Sequence, residues 1–338
     1  MTRPLFRLVL SAALGLTCTT VLAASATGNY AERPEGKALL ERLQRVDHVD
    51  MDAARALLAD AKYQPKIVAT MRKPAERTLT WADYRPIFLQ PERADKGAAY
   101  IAEHQAIFDA AEAEYGVPAN VIAAIIGVET KYGAFIGRDR VLDALATLGF
   151  DYPERSSYFI KELENFIVLC VEEDLDCDSE IGSYAGAMGL PQFMPSSYRA
   201  YAVDGNDNGK RDLWGEPADI IYSVANYLAE HGWQRDGEVA LPAWLAQPND
   251  IDAIERSKRK SAYRWSALRK LGVRVDREPP GDADVGLLEF QGADGTEYWV
   301  ALNNFFVITT YNHSPLYAMA VYQLGQEIAA RQQTSSAS

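Results

Sequence analysis

Histidine and cysteine are scarce in this sequence, and their scarcity excludes several kinds of catalytic site. The 338 residues include 4 histidines and 3 cysteines. The cysteines form no CxxC pair, and no Cys/His cluster has the spacing of zinc ligands. The spacing also supports no Ser-His-Asp or Cys-His arrangement. We therefore expect no zinc site and no cofactor for catalysis.

Positive charge is also in short supply. Lys and Arg total 34 against 47 Asp and Glu, a formal net charge of −13. Recognition of phosphates requires a basic face, so this balance argues against nucleic acid as a partner. Only Arg256–Lys270 is strongly basic. We interpret it as the solvated face of a helix, with contact to an anionic polymer as the functional alternative.

The sequence lacks a long apolar run except at its start. Residues 1–26 combine a basic start, an apolar run and small residues, which indicates a secretory signal cleaved after Ala23 or Ala26. The run is too short and too polar at its end for a membrane span. The residues before Cys18 form a poor lipoprotein box. We expect a soluble periplasmic protein, with lipid anchoring at Cys18 as the alternative.

Cys170 and Cys177 remain after the signal sequence is removed. They lie near the end of a helical stretch, and an oxidising compartment makes a disulfide plausible. Seven residues of helix would hold the sulfurs too far apart, so a bond requires the helix to end near Asp174. Two free thiols are the alternative.

The chain is long enough for two domains, or for one domain with elaborations. Helical periodicity dominates as far as Gln234, including one long helix predicted over Lys96–Tyr115. Val285–Phe290 and Thr296–Leu302 flank Asp294-Gly295 and predict a β-hairpin, followed by a third strand at Phe305–Thr310. The predicted class is α+β, mainly α. The expected divisions are a signal peptide (1–26), an N-terminal helical domain (27–115), a helical core (116–235), a small antiparallel β-rich insertion (236–310), a C-terminal helix packing back on the core (311–332) and a disordered tail (333–338).

The stretch Pro118–Gly133 predicts a helix with a carboxylate on its apolar face. Glu129 follows the apolar positions at helical spacing and is expected to face the core. Burial without a partner raises the pKa of a Glu and makes it a general acid near neutral pH. A structural carboxylate, paired with Arg or capping a helix, is the equally weighted alternative. The apolar positions are Val121, Ile122, Ile125 and Ile126.

The segment Gly182–Pro195 is too rich in small residues to form a plain helix. Glycine allows close backbone approach to a ligand. Ser183 and Gln192 add a hydroxyl and an amide, and Met188 adds apolar surface. This mixture suits an uncharged polar polymer with apolar faces, such as a sugar. A tight structural loop is the alternative.

Five short motifs, in this order and spacing, resemble the lytic murein transglycosylase B family. The resemblance runs from about Trp81 to about Gln326, which is most of the exported chain. The motifs are Gly127-Val128-Glu129-Thr130, Ala185-Gly186-Ala187-Met188-Gly189, Gln192-Phe193-Met194-Pro195, Ala225-Asn226-Tyr227 and Thr310-Tyr311-Asn312-His313-Ser314.

The resemblance implies a lysozyme-like helical core carrying a helical N-terminal domain and a small β domain. It also implies cleavage of peptidoglycan between N-acetylmuramic acid and N-acetylglucosamine without water, leaving a 1,6-anhydro end. Glu129 would act as acid and then as base. Peptidoglycan strands would be the partner, periplasmic cell-wall synthesis enzymes are possible further partners, and a monomer is expected.

By the same resemblance, several residues would bind the glycan. Only one member of the family's arginine pair is present, and the alignment is loose at the most N-terminal residue. The implied residues are Ser183, Gln192, Tyr227, Tyr311, Asn312 and Tyr317, with Met188 as a neighbour, Arg155 as the remaining arginine and Tyr84 as the N-terminal position.

A single carboxylate can suffice for this chemistry. Ordinary glycosidases need two carboxyl groups, but an intramolecular hydroxyl held beside C1 has a high effective concentration. Asp139, Asp143 and Glu154 could supply a second group, and we interpret them as helix-surface or capping residues. The competing functions are a muramidase that uses water, a silent glycan-binding protein and a calcium-responsive module.

The segment Asp204–Lys210 fits the start of a calcium loop, D-x-[DN]-x-[DN]-G. Position 12 is Gly215 instead of the usual Glu. The resemblance implies that Asp219 closes a structural Ca²⁺ site, and Glu216 is the other candidate. A plain Asx/Gly turn, with Asp219 serving the next helix, is the alternative. The expected ligands are Asp204, Asn206, Asn208, the Lys210 carbonyl and Asp219.

Overall fold

Helices supply most of the architecture. The structure, a computed structural model, describes residues 29–46, 48–72 and 79–336. The predicted signal sequence and Cys18 lie outside these residues. The helices are α1 (Pro34–Leu43), α2 (Met51–Asp60), α3 (Pro65–Met71), α4 (Trp81–Phe88), α5 (Pro91–Glu103), α6 (Gln105–Tyr115), α7 (Ala119–Thr130), α8 (Val141–Asp151), α9 (Ser156–Glu172), α10 (Pro195–Tyr201), α11 (Pro217–Glu230), α12 (Trp265–Lys270), α13 (Asn303–Tyr311) and α14 (Pro315–Ser336).

The strands form two antiparallel sheets. A two-stranded ribbon joins β1 (Asp139–Arg140) to β2 (Ile181–Gly182). A five-stranded sheet has the order β4-β6-β7-β3-β5. Its members are β3 (Ala240–Leu245), β4 (Tyr263–Arg264), β5 (Val273–Val275), β6 (Asp284–Gly292) and β7 (Gly295–Ala301). The predicted class, α+β and mainly α, is confirmed.

The predicted hairpin is present, and the predicted third strand is wrong. β6 and β7 pair around the turn, with Gly292 opposite Gly295. The run Phe305–Thr310 belongs instead to α13, which joins the main helical core. Periodicity alone cannot separate a short, fully buried strand from a fully buried helix. Asn304 fixes the helical start, because its buried amide accepts from Gln234 N (2.8 Å) and donates to Gly237 O (2.8 Å).

Three further expectations need correction. The single helix over Lys96–Tyr115 is two helices, α5 and α6, which meet at His104 without a proline or glycine to mark the break. The tail predicted as disordered continues α14 as far as Ser336. Within the basic stretch, only Trp265–Lys270 is helical, and residues 258–261 form an irregular segment outside the sheet.

Helix α7 lies at the centre of the main apolar core. Ile122, Ile125 and Ile126 are fully buried, and α14 and α5 pack against α7. Helices from α1 to α11 share this core, and a second cluster, including Leu241, holds the β-sheet to α12. No helix within residues 29–46, 48–72 and 79–336 is both long and apolar enough to cross a membrane.

A disulfide closes the end of α9. Cys170 and Cys177 are bonded, with their Cα atoms 5.8 Å apart. The helix ends at Glu172, and Asp174 takes a left-handed conformation (φ 56°) that turns the chain back. The predicted condition for the bond, a helix that ends near Asp174, is met.

Replacing both Cys170 and Cys177 by Ser should lower the free energy of unfolding by about 2–3 kcal/mol, because the cross-link restricts the unfolded chain. Urea unfolding of both proteins, with and without a thiol reductant, measures the difference. Reductant should lower the stability of the wild type to that of the variant and leave the variant unchanged. Equal stability of the two oxidised proteins would contradict the prediction.

Candidate active site

Helix α7 carries Glu129 in its last turn. Pro118 precedes the helix as its N-cap, and Lys131 ends it in a left-handed conformation (φ 53°). Thr130 secures the end of the helix, since its hydroxyl is shared between Ile126 O (3.2 Å) and Leu190 O (3.3 Å) and accepts from Gly133 N at 3.1 Å. The helix end is therefore anchored to the Gly-rich segment that follows 60 residues later.

Glu129 is only half-buried, unlike the isoleucines on its helix. Its Oε1 accepts a hydrogen bond of 2.5 Å from the Tyr317 hydroxyl in α14. The carboxylate therefore meets a polar partner at the edge of the core, whereas the sequence predicted a purely apolar surrounding. Tyr317 is 2% exposed, so the contact is shielded from solvent on that side.

The phenols of Tyr317 and Tyr311 keep their protons at neutral pH. Burial, and then the neighbouring Glu129 charge, raise the pKa of both groups well above the ordinary tyrosine value. Tyr317 thus remains a hydrogen-bond donor to Glu129. The Tyr311 hydroxyl donates to Pro191 O at 2.7 Å, and its ring stacks on that of Tyr317 with centroids 6.4 Å apart.

An aromatic wall continues from this pair. We call Phe193, Tyr227, Tyr311 and Tyr317 the aromatic wall. The Tyr227 ring meets that of Tyr311 edge-on at 4.8 Å, and Phe193 lies 5.5 and 5.8 Å from these two rings. The Tyr227 hydroxyl donates to Thr310 O at 2.9 Å. Burial raises the pKa of Tyr227 to about 12, so this wall is uncharged.

The Gly-rich segment supplies polar groups beside the wall. Ser183 Oγ accepts from the N–H groups of Ala185 (3.2 Å) and Ala187 (3.0 Å), which leaves its own hydrogen to donate. Gln192 has φ 54°, a conformation that is strained for a residue with a Cβ and is concentrated at functional sites. Its amide donates to Ile136 O and Gly189 O, which leaves the side-chain oxygen as an acceptor.

The remaining predicted residues vary in placement. Asn312 caps the C-terminal end of α13, which is a helix end and not the expected strand end. Tyr84 is 2% exposed, its ring packs against that of Phe88 with centroids 4.9 Å apart, and its helix α4 packs against α14, which carries Tyr317. Met188 is fully buried and forms an isolated antiparallel β-bridge with Phe193.

Arg155 is exposed at the start of α9. Its guanidinium lies over the rings of Tyr158 (4.3 Å) and Phe159 (5.1 Å). These two rings belong to the first turn of α9, so Arg155 is held at the start of that helix. His231, the residue that follows α11, stacks on Tyr227 at 4.0 Å and was not predicted from the sequence; the i,i+4 spacing of the two residues was the available signal.

The candidates for a second carboxylate differ in their surroundings. Asp143 is 5% exposed and accepts from Lys62 N (2.8 Å) and Gln64 Nε2 (3.1 Å), so it holds the segment between α2 and α3. Glu154 is exposed. Asp139 lies opposite Gly182 in the β1–β2 ribbon, beside Ser183.

The Asp204–Lys210 loop is closed by its own side chains. Asp204 accepts from Asn208 N (3.0 Å) and Gly209 N (2.6 Å). Asn206 and Asn208 accept in the same way from the backbone at 3.1 and 2.9 Å, and their oxygens turn inwards. No cluster of three acidic, histidine or cysteine side chains with metal-binding geometry occurs among the described residues.

Asp219, rather than Glu216, meets this loop. It is fully buried and accepts from Gly205 N (2.8 Å) and Asp212 N (2.7 Å). Burial raises the pKa of Asp219, and the charges of Asp204 and Glu216 add to this effect, although its two backbone hydrogen bonds lower it. Glu216 caps α11 instead. The expected ligand atoms are all oxygens, which is the ligand type that Ca²⁺ prefers.

A family model and a curated relative match most of the chain. The family described as transglycosylase SLT domain matches residues 32–326. The membrane-bound lytic murein transglycosylase B of Escherichia coli (strain K12) is 37% identical over 311 residues, covering 89% of this chain and 84% of that protein.

Solved structures are similar over most of the chain. Catenated SltB1 from Pseudomonas aeruginosa has a TM-score of 0.84 and 42% identity, covering 90% of this chain and 99% of that one. Escherichia coli SLT35 in complex with calcium has a TM-score of 0.82 and 37% identity, covering 90% and 96%. Pseudomonas aeruginosa SltB3 in complex with NAG-anhNAM-pentapeptide has a TM-score of 0.76 and 30% identity, covering 87% and 78%. The chain belongs to the transglycosylase SLT family, and its activity is that of a peptidoglycan lytic transglycosylase.

Proposed function

We propose that Glu129 is the single acid and base with which this enzyme cleaves the bond between N-acetylmuramic acid and N-acetylglucosamine. The observation that carries the proposal is the half-buried Glu129 carboxylate, hydrogen-bonded by a protonated Tyr317 at one end of an uncharged aromatic wall. Aromatic faces with hydroxyl and amide groups suit a sugar polymer. The relative SltB3, bound to NAG-anhNAM-pentapeptide, supports the anhydro product.

The reaction needs two proton transfers through one carboxyl group. Protonated Glu129 first donates to the glycosidic oxygen, so the C1–O bond breaks and N-acetylglucosamine leaves with a free hydroxyl. The Glu129 carboxylate then accepts the proton of the muramyl C6 hydroxyl as that oxygen bonds to C1. The residue ends protonated, as it began, and no water is consumed.

The second carboxylate of ordinary glycosidases becomes unnecessary in this scheme. A nucleophile within the same sugar ring replaces an activated water and has a high effective concentration. Asp143, whose oxygens are held by backbone and side-chain donors on residues 62 and 64, supports this view. Asp139 is the candidate for a water-activating base in the competing hydrolytic scheme.

We assign the glycan contacts according to chemistry. The Ser183 hydroxyl donates, the Gln192 and Asn312 amides bind sugar hydroxyls and acetamido groups, and the tyrosine rings cover apolar sugar faces. Arg155, exposed beside Tyr158, would contact the glycan as the remaining arginine. Met188 would position Phe193, with which it pairs through the backbone, and Tyr84 would act from α4, which packs against α14.

We further propose export to the periplasm as a soluble monomer. The composition of residues 1–26 supports export. Anchoring through Cys18 is the alternative, which the membrane-bound relative from Escherichia coli supports. The enzyme would then act in turnover and remodelling of the cell wall, beside the enzymes that synthesise it.

A structural Ca²⁺ at the Asp204 loop is also proposed. Asp204, Asn206, Asn208 and the Lys210 carbonyl would hold the ion, and Asp219 would close the site. The relative SLT35 in complex with calcium supports this assignment. The ion would stabilise the loop between α10 and α11 without taking part in catalysis.

Digestion of purified sacculi tests substrate and mechanism together. We expect muramyl ends that are lighter by one water than reducing ends and that resist borohydride reduction, measured by mass spectrometry. Glu129→Gln should lower the lytic rate at least about a hundredfold, because general acid–base catalysis contributes that much or more. Binding of this variant to sacculi should persist in a sedimentation assay.

Asp139→Asn and Glu154→Gln are the matched controls and should remain lytic. Reducing muramic ends would overturn the transglycosylase mechanism in favour of hydrolysis. A fully lytic Glu129→Gln variant would overturn the assignment of the acid, and loss of lysis in Asp139→Asn would indicate a second carboxylate. Wild-type binding without any lysis would indicate a silent binding protein.

Tyr317→Phe should lower kcat about ten- to hundredfold, because a hydrogen bond to a charged group is worth about 1.5–3 kcal/mol. Steady-state rates on soluble glycan strands measure the change. Tyr322→Phe is the control: it removes a hydroxyl from the same helix, one that donates to Ala240 O at 2.8 Å. Equal losses in the two variants would argue against a specific role for Tyr317.

Calcium should raise the melting temperature of the wild type by a few degrees, since an ion that binds only the folded state stabilises it. Asp204→Asn should abolish most of this rise. Asp207→Asn removes the same charge from a non-ligand position of the loop and should keep it. An unchanged wild-type melting temperature, with calcium or with a chelator, would remove the proposed site.

A further inference from the structure

We propose that a basic cavity beside the aromatic wall binds carboxylates of the peptide stem on the muramyl residue, a proposal that rests on the proposed function. The cavity measures about 720 Å³. One side is formed by residues 255–260 and 262, and the other by Thr309, Thr310 and His313. We call this space the basic cavity.

The basic cavity adjoins the candidate active site through the end of α13. Thr310 lines the cavity, and its carbonyl accepts the hydroxyl of Tyr227 from the aromatic wall. Tyr311 and Asn312, both assigned to the glycan, lie between Thr310 and His313 in the chain. A group attached to a sugar on the wall can therefore reach the cavity by passing the helix end.

The basic side of the cavity is fixed to the β-sheet. Ser257 N donates to Leu287 O at 2.7 Å, and Ala262 N donates to Val285 O at 3.0 Å. Arg256 donates to Ile251 O and Ile254 O, and lies 3.3 Å from a Glu289 oxygen. Arg256 thus holds the segment in place. The residues between Ser257 and Ala262 project from a backbone that is fixed to the sheet at both ends.

Lys258, Arg259 and Lys260 carry the available positive charge. All three are exposed, and none pairs with a carboxylate among the side chains that the structure describes. Glu255 is the one acid that lines the cavity. In a chain with a net charge of −13, this concentration of unpaired cations against one wall of a cavity favours an anionic ligand.

The sugars of the glycan are not that ligand, because they are neutral. The peptide stem is anionic, because a peptide ends in a carboxylate. The relative SltB3 binds a glycan unit that carries a pentapeptide. The stem is attached to the muramyl residue, the same sugar that must lie at Glu129. The neutral wall would thus bind the strand, and the basic cavity would select strands that keep their peptides.

The test compares peptide-bearing glycan strands with the same strands after an amidase has removed the peptides. Lys258→Ala/Arg259→Ala/Lys260→Ala should raise KM about tenfold on peptide-bearing strands, given the usual strength of exposed ion pairs. It should leave kcat unchanged there, and KM unchanged on bare strands. The control Arg45→Ala/Lys66→Ala/Lys270→Ala removes three exposed charges elsewhere and should change neither.

A second measurement uses the wild type alone. Amidation of the stem carboxylates should raise its KM about as much as the triple substitution does, and should have no further effect in the triple variant. Equal losses on peptide-bearing and bare strands, or no loss on either, would overturn the proposal. A wild type that forms no anhydro ends from any strand would instead overturn the proposed function.

Discussion

The hydrogen bond from Tyr317 to Glu129 is the contact on which the arrangement of the active site depends. It joins two residues 188 positions apart and requires α7 and α14 to pack directly. A phenol can orient a carboxylate without adding positive charge. A Lys or Arg in the same place would favour the ionised carboxylate more strongly than a neutral donor does, whereas the first chemical step needs the protonated one.

The rest of the core holds this contact in place. Because α7 is buried on almost every side, it cannot rotate without disturbing α5 and α14. Gly97 and Gly127 allow the close packing, since a Cβ on either would lie 2.4 Å from the Tyr132 hydroxyl. Small shifts cost much in catalysis, so an acid carried by a rigid helix suits a reaction that uses one group twice.

Residues in short sequence motifs were easier to predict than features that depend on packing in three dimensions. Glu129 and Gln192 lie in short motifs whose order indicated the family, and the family is confirmed. The residues that depend on three-dimensional packing were harder. α13 was predicted as a strand because a fully buried run has no periodicity, and His231 was missed because its partner is an aromatic face. The cavity beside the basic segment needed the fold, since its two sides are about 50 residues apart in sequence.

The basic residues lie in the cavity and not on the wall beside Glu129, which suits an acid that must be protonated for the first chemical step. Lys258, Arg259 and Lys260 lie beyond the end of α13, whereas the aromatic wall next to Glu129 is neutral. Exposed charges are screened over about 8 Å at physiological salt. Cations in the basic cavity can therefore attract an anionic stem, while the side chains that form the aromatic wall beside Glu129 carry no charge. Placing them directly on the wall would strengthen binding of the stem and weaken the acid.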